Sequence, residues 1–289
     1  MSNYRIITDS CSDLTQELVS KLGLDIDMVY MTLLHQGREI IIRTDEQSKE
    51  IYDGLRNGET PTTAAVNPEG WRAAIEPVLA SGKDVLVMSF SSGLSTTYQS
   101  AVIAAQELME EYPDRTIKVL DTLAAALGQG MYVWYACKKR DEGLSLEELY
   151  NWCEEHKQNI AHWVTVDDLM HLKRGGRISG TTAMVGTMLG IKPLIHVDEN
   201  GKLINVGKVR GRKAALDTVA KKLAEDGLPG ENETVFIGHG DCIEDAEYVA
   251  KICKEKYGVK NVVIGYIGAV IGSHAGPGTI AFFFLGKHR

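Results

Sequence analysis

The chain has 289 residues with 39 acidic and 31 basic side chains, a formal net charge of −8. That deficit of cations argues against a general nucleic-acid binder, because covering a phosphate backbone needs a surplus of Lys and Arg. A content of 44% hydrophobic and 24% charged residues is that of a globular protein with room for two domains. No stretch approaches the roughly 18 apolar residues of a membrane span, and Met1 leads almost directly into a strand without a leader-like segment, so a cytoplasmic protein is expected. Cys11, Cys137, Cys153, Cys242 and Cys253 contain no CxxC pair, which points to neither a disulfide framework nor a zinc ribbon. His239-Gly240-Asp241-Cys242 reads as a loop after a strand, and no metal is expected.

Tyr4-Arg5-Ile6-Ile7-Thr8 reads as a strand. Asp13 with Gln16 three residues on reads as a capping box opening a helix through Leu14, Leu18 and Leu22, which Gly23 ends. Alternating Leu24, Ile26, Met28 and Tyr30 suggest a half-buried strand, Gln36-Gly37 a hairpin return, and residues 47–55 a short helix. Thr60 to Pro68 reads as an extended linker closed by Asn67 as N-cap and Pro68 at the first helical position, before a helix with Trp71, Ile75 and Leu79 on its apolar stripe. Asp84 to Ser89 is a buried strand, Ser91-Ser92-Gly93-Leu94-Ser95 a turn and Val102-Ile103-Ala104-Ala105 part of the helix it opens. Hydroxyls at such a junction can cap the helix or join its free N–H groups in holding an anion. A strand over residues 116–120, a helix rich in small residues over 123–137, and a capping box at Ser145 and Glu148 complete this half.

Alternating strands and helices here imply an open parallel sheet with helices on both faces. Beyond this the pattern changes. Strands over 160–166, 191–197 and 203–209, the last two joined by Asp198-Glu199-Asn200-Gly201, bring in antiparallel pairing. A short helix is expected over 181–189, longer ones over 213–225 and 244–257, and further strands over 234–237, 262–267 and 280–285. The fold class is therefore α/β, an N-terminal domain of residues 1–158 followed by a C-terminal α+β domain of residues 159–289 with a largely antiparallel sheet.

Four places carry potential chemistry: Thr63 in the linker, Ser91 and Ser92 at the turn, Arg174-Gly175-Gly176-Arg177, and His274 before Ala275-Gly276-Pro277-Gly278. Each has an ordinary alternative. Thr63 suits a loop, the hydroxyls suit a cap, the paired glycines suit a turn with positive φ, and His274 suits an exposed loop. Gly-interrupted apolar segments at Ala183 to Ile191, Ala269 to Ile271 and Phe282 to Phe284 suit a core or an adaptable wall around an elongated guest. No GxxxxGK phosphate loop is present.

In order along the chain, Thr8-Asp9-Ser10-Cys11-Ser12-Asp13-Leu14, Ser91 to Ala101, Asp121 with Gly128-Gln129-Gly130, Leu172 to Ile178 and His274 to Gly278 resemble the signature segments of the DegV family of bacterial fatty-acid-binding proteins. The resemblance implies two α/β domains with one long-chain fatty acid between them, its tail in an apolar tunnel and its carboxylate held by Thr63, Ser92 and His274, with Ser91 and Gly93 beside them. It implies a non-catalytic subunit that presents the acid to a separate ATP-binding fatty acid kinase subunit for conversion to an acyl phosphate. No cofactor beyond the bound acid is expected, and no membrane span, though transient membrane contact suits such a ligand. Arg174 and Arg177, in a basic cluster with His171, Lys173, Lys208, Arg210, Arg212 and Lys213, are candidates for phosphate or partner contact. Two departures stand out: Ala64-Ala65-Val66-Asn67 follows Thr63 where the family has Ser and Gln, and Thr96 replaces a common Gly.

Two readings of other classes stay open. One is a stand-alone acyl ester or acyl phosphate hydrolase with Ser92 as nucleophile, His274 as base and Asp9 or Asp121 as orienter. The other is a nucleotide-binding module built on the same helix start.

Overall fold

The computed structural model describes residues 3–178 and 190–288. Its first sheet is parallel. Strands β1 (Tyr4–Asp9), β2 (Ile26–Val29), β6 (Asp84–Ser89) and β7 (Ile117–Asp121) lie in the order β2-β1-β6-β7. Ile6, Ile7, Val85, Leu86 and Val87 are fully buried, as expected where helices cover both faces. These helices are α1 (Gln16–Lys21), α3 (Pro68–Ala80), α4 (Thr97–Glu111), α5 (Ala126–Asp141) and α6 (Leu146–His156). Asn67 caps α3 by accepting from Gly70 N–H, and Ser145 with Glu148 makes a reciprocal box at the start of α6. Trp71, Ile75 and Leu79 are buried.

The second sheet is mixed, ordered β10-β9-β8-β13-β11-β12. Its strands are β8 (Ile160–Thr165), β9 (Ile191–Val197), β10 (Leu203–Arg210), β11 (Thr234–His239), β12 (Asn261–Tyr266) and β13 (Ile280–Leu285), and only β11 and β12 pair in parallel. The β9–β10 hairpin turns on Asp198 to Gly201, with Gly201 at φ 71°. Helices α8 (Arg212–Asp226) and α9 (Ile243–Tyr257) cover one face. The short helices α7 (Met170–Arg174) and α10 (Ala269–Ala275) stand near the junction of the two halves. The short helix expected over residues 181–189 lies outside the described residues.

A third sheet is absent from the sequence expectation. β3 (Thr32–His35) pairs antiparallel with both β4 (Arg38–Ile40) and β5 (Thr62–Ala64), in the order β4-β3-β5. Gln36 and Gly37 both take positive φ, which a tight two-residue hairpin requires. The linker around Thr63 is therefore a sheet edge rather than free extended chain. Helix α2 (Asp45–Arg56), opened by a Thr44–Gln47 box, backs this sheet through Ile51, Tyr52 and Leu55.

The Asp13–Gln16 box does not form. Thr15 caps α1 by accepting from Leu18 N–H, while Asp13, at φ 54°, accepts from the N–H of Gly268 at 3.0 Å. A carboxylate already engaged across 255 residues of sequence is not available to its own helix.

Candidate functional site

In the parallel sheet the chain departs in opposite directions from β1 and β6, which lie side by side. Such a switch point opens a crevice beyond the carboxyl ends of the strands. Asp9 closes the base of that crevice, accepting from Phe90 N–H at 2.7 Å and Cys11 N–H at 3.0 Å. Complete burial pushes its carboxyl up to about 6 against the lowering effect of those bonds.

Above it lies a cavity whose walls are almost entirely apolar. The first half contributes Cys11, Met31, Phe90, Leu94, Ser95, Ala125 and Ala126. The six-stranded sheet contributes alternate residues: His162 and Val164 from β8, Ile195 and Val197 from β9, Ala281 and Phe283 from β13. This period of two turns one sheet face into a wall. Val270, Ile271 and His274 of α10 close another side, and Thr63 and Arg177 line it as well. Small side chains at Ala125, Ala126, Ala275 and Ala281 leave the space open.

Thr63 and His274, 211 residues apart, meet at one point of this wall, with Thr63 Oγ1 2.9 Å from His274 Nε2. Burial, reinforced by the charge of Arg177, lowers the His274 imidazole to about 4, so it is neutral at physiological pH. Arg177 donates to the carbonyl of Gly175 at 2.5 Å. Gly175 has φ −70° and ψ −9°, which any residue can adopt. What it requires is space, because a Cβ there would collide with His274 Nδ1. Gly176, at φ 70° with open space around it, is the glycine needed for backbone conformation.

The turn after β6 is arranged differently from the sequence expectation. Ser92 N–H donates to Asp121 at 3.1 Å, Gly93 N–H to Ser91 Oγ at 3.2 Å, and Leu94 and Ser95 N–H to the Ser91 carbonyl. These donors are taken by the protein, so they do not form an open anion cradle. Ser91 is fully buried and donates to the carbonyl of Gly201 at 2.8 Å, while Gly93 abuts the carbonyls of Asn200 and Gly201. Ser91 and Gly93 thus join the turn to the β9–β10 hairpin. Ser95 is the serine of this turn that lines the cavity, together with Leu94. Ser95 belongs to the run of turn hydroxyls the sequence pointed to but was not singled out among them, and its place at the helix start was the available signal.

The basic cluster also separates. Lys173 and Arg174 are exposed on or beside α7, Arg177 is half-buried in the cavity wall, and Arg212 is engaged with Asp245 and Asp167. Burial and the charge of Arg174 lower His171, whose ring packs against Gly276. Among the described residues no group of three or more His, Cys, Asp or Glu could hold a metal ion, and no helix is long and apolar enough to cross a membrane.

A family model described as an uncharacterised protein of the DegV family matches residues 3–287. The chain belongs to the DegV family. A DegV domain-containing protein of Clostridium perfringens is 44% identical over 293 residues, covering 100% of this DegV-family chain and 99% of the relative. A solved structure reported as fatty acid binding of a DegV family protein from Thermus thermophilus has a TM-score of 0.87 at 31% identity, covering 98% of this chain and 99% of that one. A second, described as a DegV lipid binding protein from Thermotoga maritima, has a TM-score of 0.85 at 29% identity and covers 100% of both chains.

Proposed function

We propose that this protein binds one long-chain fatty acid at the junction of its two domains, residues 1–158 and 159–289, and presents it to a separate ATP-dependent kinase subunit that makes the acyl phosphate. The observation that carries this reading is an apolar cavity with a hydrogen-bonded Thr63–His274 pair in its wall and Arg177 beside that pair. The fatty-acid and lipid binding reported for the Thermus and Thermotoga proteins supports it.

A carboxylate leaving water needs hydrogen bonds. With the proton on His274 Nε2, the imidazole donates to Thr63 Oγ1 and leaves the threonine hydroxyl free to donate to the ligand. Ser95, whose Oγ accepts from Thr97 N–H at 3.2 Å and lies 2.9 Å from Thr97 Oγ1, supplies a second hydroxyl when its proton turns to the ligand, and Arg177 supplies positive charge without a buried one-to-one ion pair. Ser91, Ser92 and Gly93 act by holding the turn that carries Ser95. Each buried CH₂ of the tail contributes about 0.8 kcal/mol before entropic costs, so the tail provides most of the affinity and the head group the orientation. Exposed Arg174 is the candidate for contact with the kinase subunit or the incoming phosphate.

The test is to purify the protein from bacteria, extract it, identify any lipid by mass spectrometry, and titrate the stripped protein with hexadecanoic acid. A chain that carries no lipid and does not bind the acid refutes the binding reading. Failure of a fatty acid kinase ATP-binding subunit to phosphorylate the bound acid refutes the presentation step. The hydrolase alternative requires Ser92 to reach His274, whose Nε2 is occupied by Thr63; ester turnover lost in Ser92→Ala would restore it.

A further inference from the structure

His274 is in the second half of the chain, but the helix that carries it is attached to the first. Helix α10 packs against α2, β3 and β5, with α7 as its neighbour from the second half. Its N-cap is Gly268, which has no side chain to satisfy the helix start. Asp13 reaches across from the loop after β1 and accepts the Gly268 N–H at 3.0 Å. One residue earlier, the buried hydroxyl of Tyr52 on α2 donates to the carbonyl of Ile267 at 2.8 Å. Gly272, one turn along α10, lies flush on the Tyr52 ring and leaves no room for a Cβ. At the other end Thr279 donates to the carbonyls of Ala275 and Gly276, capping the helix just before Gly278 at φ 76°.

We propose that Asp13 and Tyr52 are positioning residues for the head-group site: they fasten the start of α10 to the first half of the chain, and thereby set His274 against Thr63. A helix of two turns makes little cohesion of its own, so its placement depends on such ties. Thr63 on β5 and His274 on α10 are then held by the same body, the β4-β3-β5 sheet with α2. The ends of α10 are also tied to the six-stranded sheet, Ile267 N–H donating to the His239 carbonyl and Gly278 N–H to that of Gly240, so Asp13 and Tyr52 set the helix start against the first half where the two halves meet. The role of Asp13 is to accept one hydrogen bond. Complete burial pushes its carboxyl well above the ordinary range, and an asparagine offers the Gly268 N–H the same Oδ1 acceptor.

The inference rests on the fatty-acid reading for its binding consequence but not for its structural one, and the experiment separates them. Tyr52→Phe, Asp13→Ala and Asp13→Asn are compared with wild type by the nitrogen chemical shifts of the His274 imidazole in ligand-free protein. Their affinities for hexadecanoic acid and for hexadecanol are measured in parallel. Tyr52→Phe and Asp13→Ala are expected to alter the His274 signals and to weaken the acid about tenfold while changing the alcohol by less than about twofold, the size expected for one misplaced hydrogen bond. Asp13→Asn is expected to match wild type in all three. If Asp13→Ala fails to fold, Tyr52→Phe carries the test. Unchanged His274 signals in Tyr52→Phe, or equal losses for acid and alcohol, overturn the positioning role. Wild type that binds neither compound overturns the fatty-acid reading, and the imidazole signals still decide the inference.

Discussion

Replacing Gly175 by alanine tests whether the paired glycines serve the site or only the turn. The backbone at Gly175 is already helical, so alanine adds no conformational strain and gains about 0.4–1 kcal/mol by restricting the unfolded chain. Its Cβ would overlap His274 Nδ1 and lie 3.1 Å from Cγ and 3.3 Å from Cβ of the same side chain. Those atoms belong to a ring held at its far edge by Thr63, so relief requires the imidazole to move and the 2.9 Å contact to lengthen. Overpacking of this kind costs about 1–3 kcal/mol and the lost hydrogen bond about 1 kcal/mol more. The net expectation is a destabilisation of about 1–3 kcal/mol in urea unfolding and a drop in hexadecanoic acid affinity of about tenfold by titration calorimetry. Gly176→Ala is the control: it strains a residue at φ 70° by about 1–2 kcal/mol but meets nothing within 4 Å, so affinity should be unchanged. Wild-type affinity in Gly175→Ala, or equal affinity losses in the two variants, would refute the argument.

Thr63→Val keeps the shape of β5 and removes one hydroxyl; affinity for the acid should fall about five- to tenfold with little change in melting temperature. Ser91→Ala deletes the bond to Gly201 and should lower unfolding free energy by about 1–2 kcal/mol, whereas Ser92→Ala should be near neutral in urea unfolding. The pH test uses a difference, because buried Asp9, raised to about 6, opposes His274. His274 is lowered to about 4 in the fold, so between its ordinary value and that one the unfolded chain binds the proton that the folded chain excludes. Acidification through this window therefore destabilises wild type relative to His274→Gln by about 2 kcal/mol after allowance for partial exposure. Parallel unfolding curves at neutral and acid pH check it, and a gap independent of pH would show that His274 is not held neutral.

How much was legible depended on how local each signal was. The boxes at Ser145 and Glu148, the Asn67-Pro68 start and the hairpins at Gln36-Gly37 and Asp198 to Gly201 are written within a few residues, and all appear in the structure. Asp13 carries an equally good local pattern, yet its carboxylate is taken by Gly268 from the far end of the chain. The strand at Thr62–Ala64 is three residues long and exists because β3 is beside it, so no periodicity could reveal it. The turn after β6 depends on distant segments in the same way. The Ser91 hydroxyl donates to the Gly201 carbonyl and the Ser92 backbone N–H to the Asp121 carboxylate, so segments far away in sequence decide which donors of this turn are committed. Convergence of Thr63 with His274 was legible only through the family resemblance.

On the proposed reading, the electrostatics around the Thr63–His274 pair suit a ligand that must be altered without being released. A fully buried counter-ion would bind a carboxylate strongly, and much of that binding would depend on the one group that phosphorylation changes. The groups proposed to face the head are a neutral imidazole, two hydroxyls and a half-buried guanidinium, which together would provide orientation worth about 1–3 kcal/mol. A tail of about fifteen methylenes offers roughly 12 kcal/mol before entropic costs. On the proposed reading, retention would reside in the wall shared by β8, β9, β13 and α10, and presentation in the Thr63–His274 pair. Head-group variants should consequently reduce phosphorylation by the kinase subunit more than they reduce the amount of lipid carried, whereas Ala281→Leu or Ala126→Leu, which fill the wall, should empty the protein of lipid and leave the imidazole signals of His274 in place.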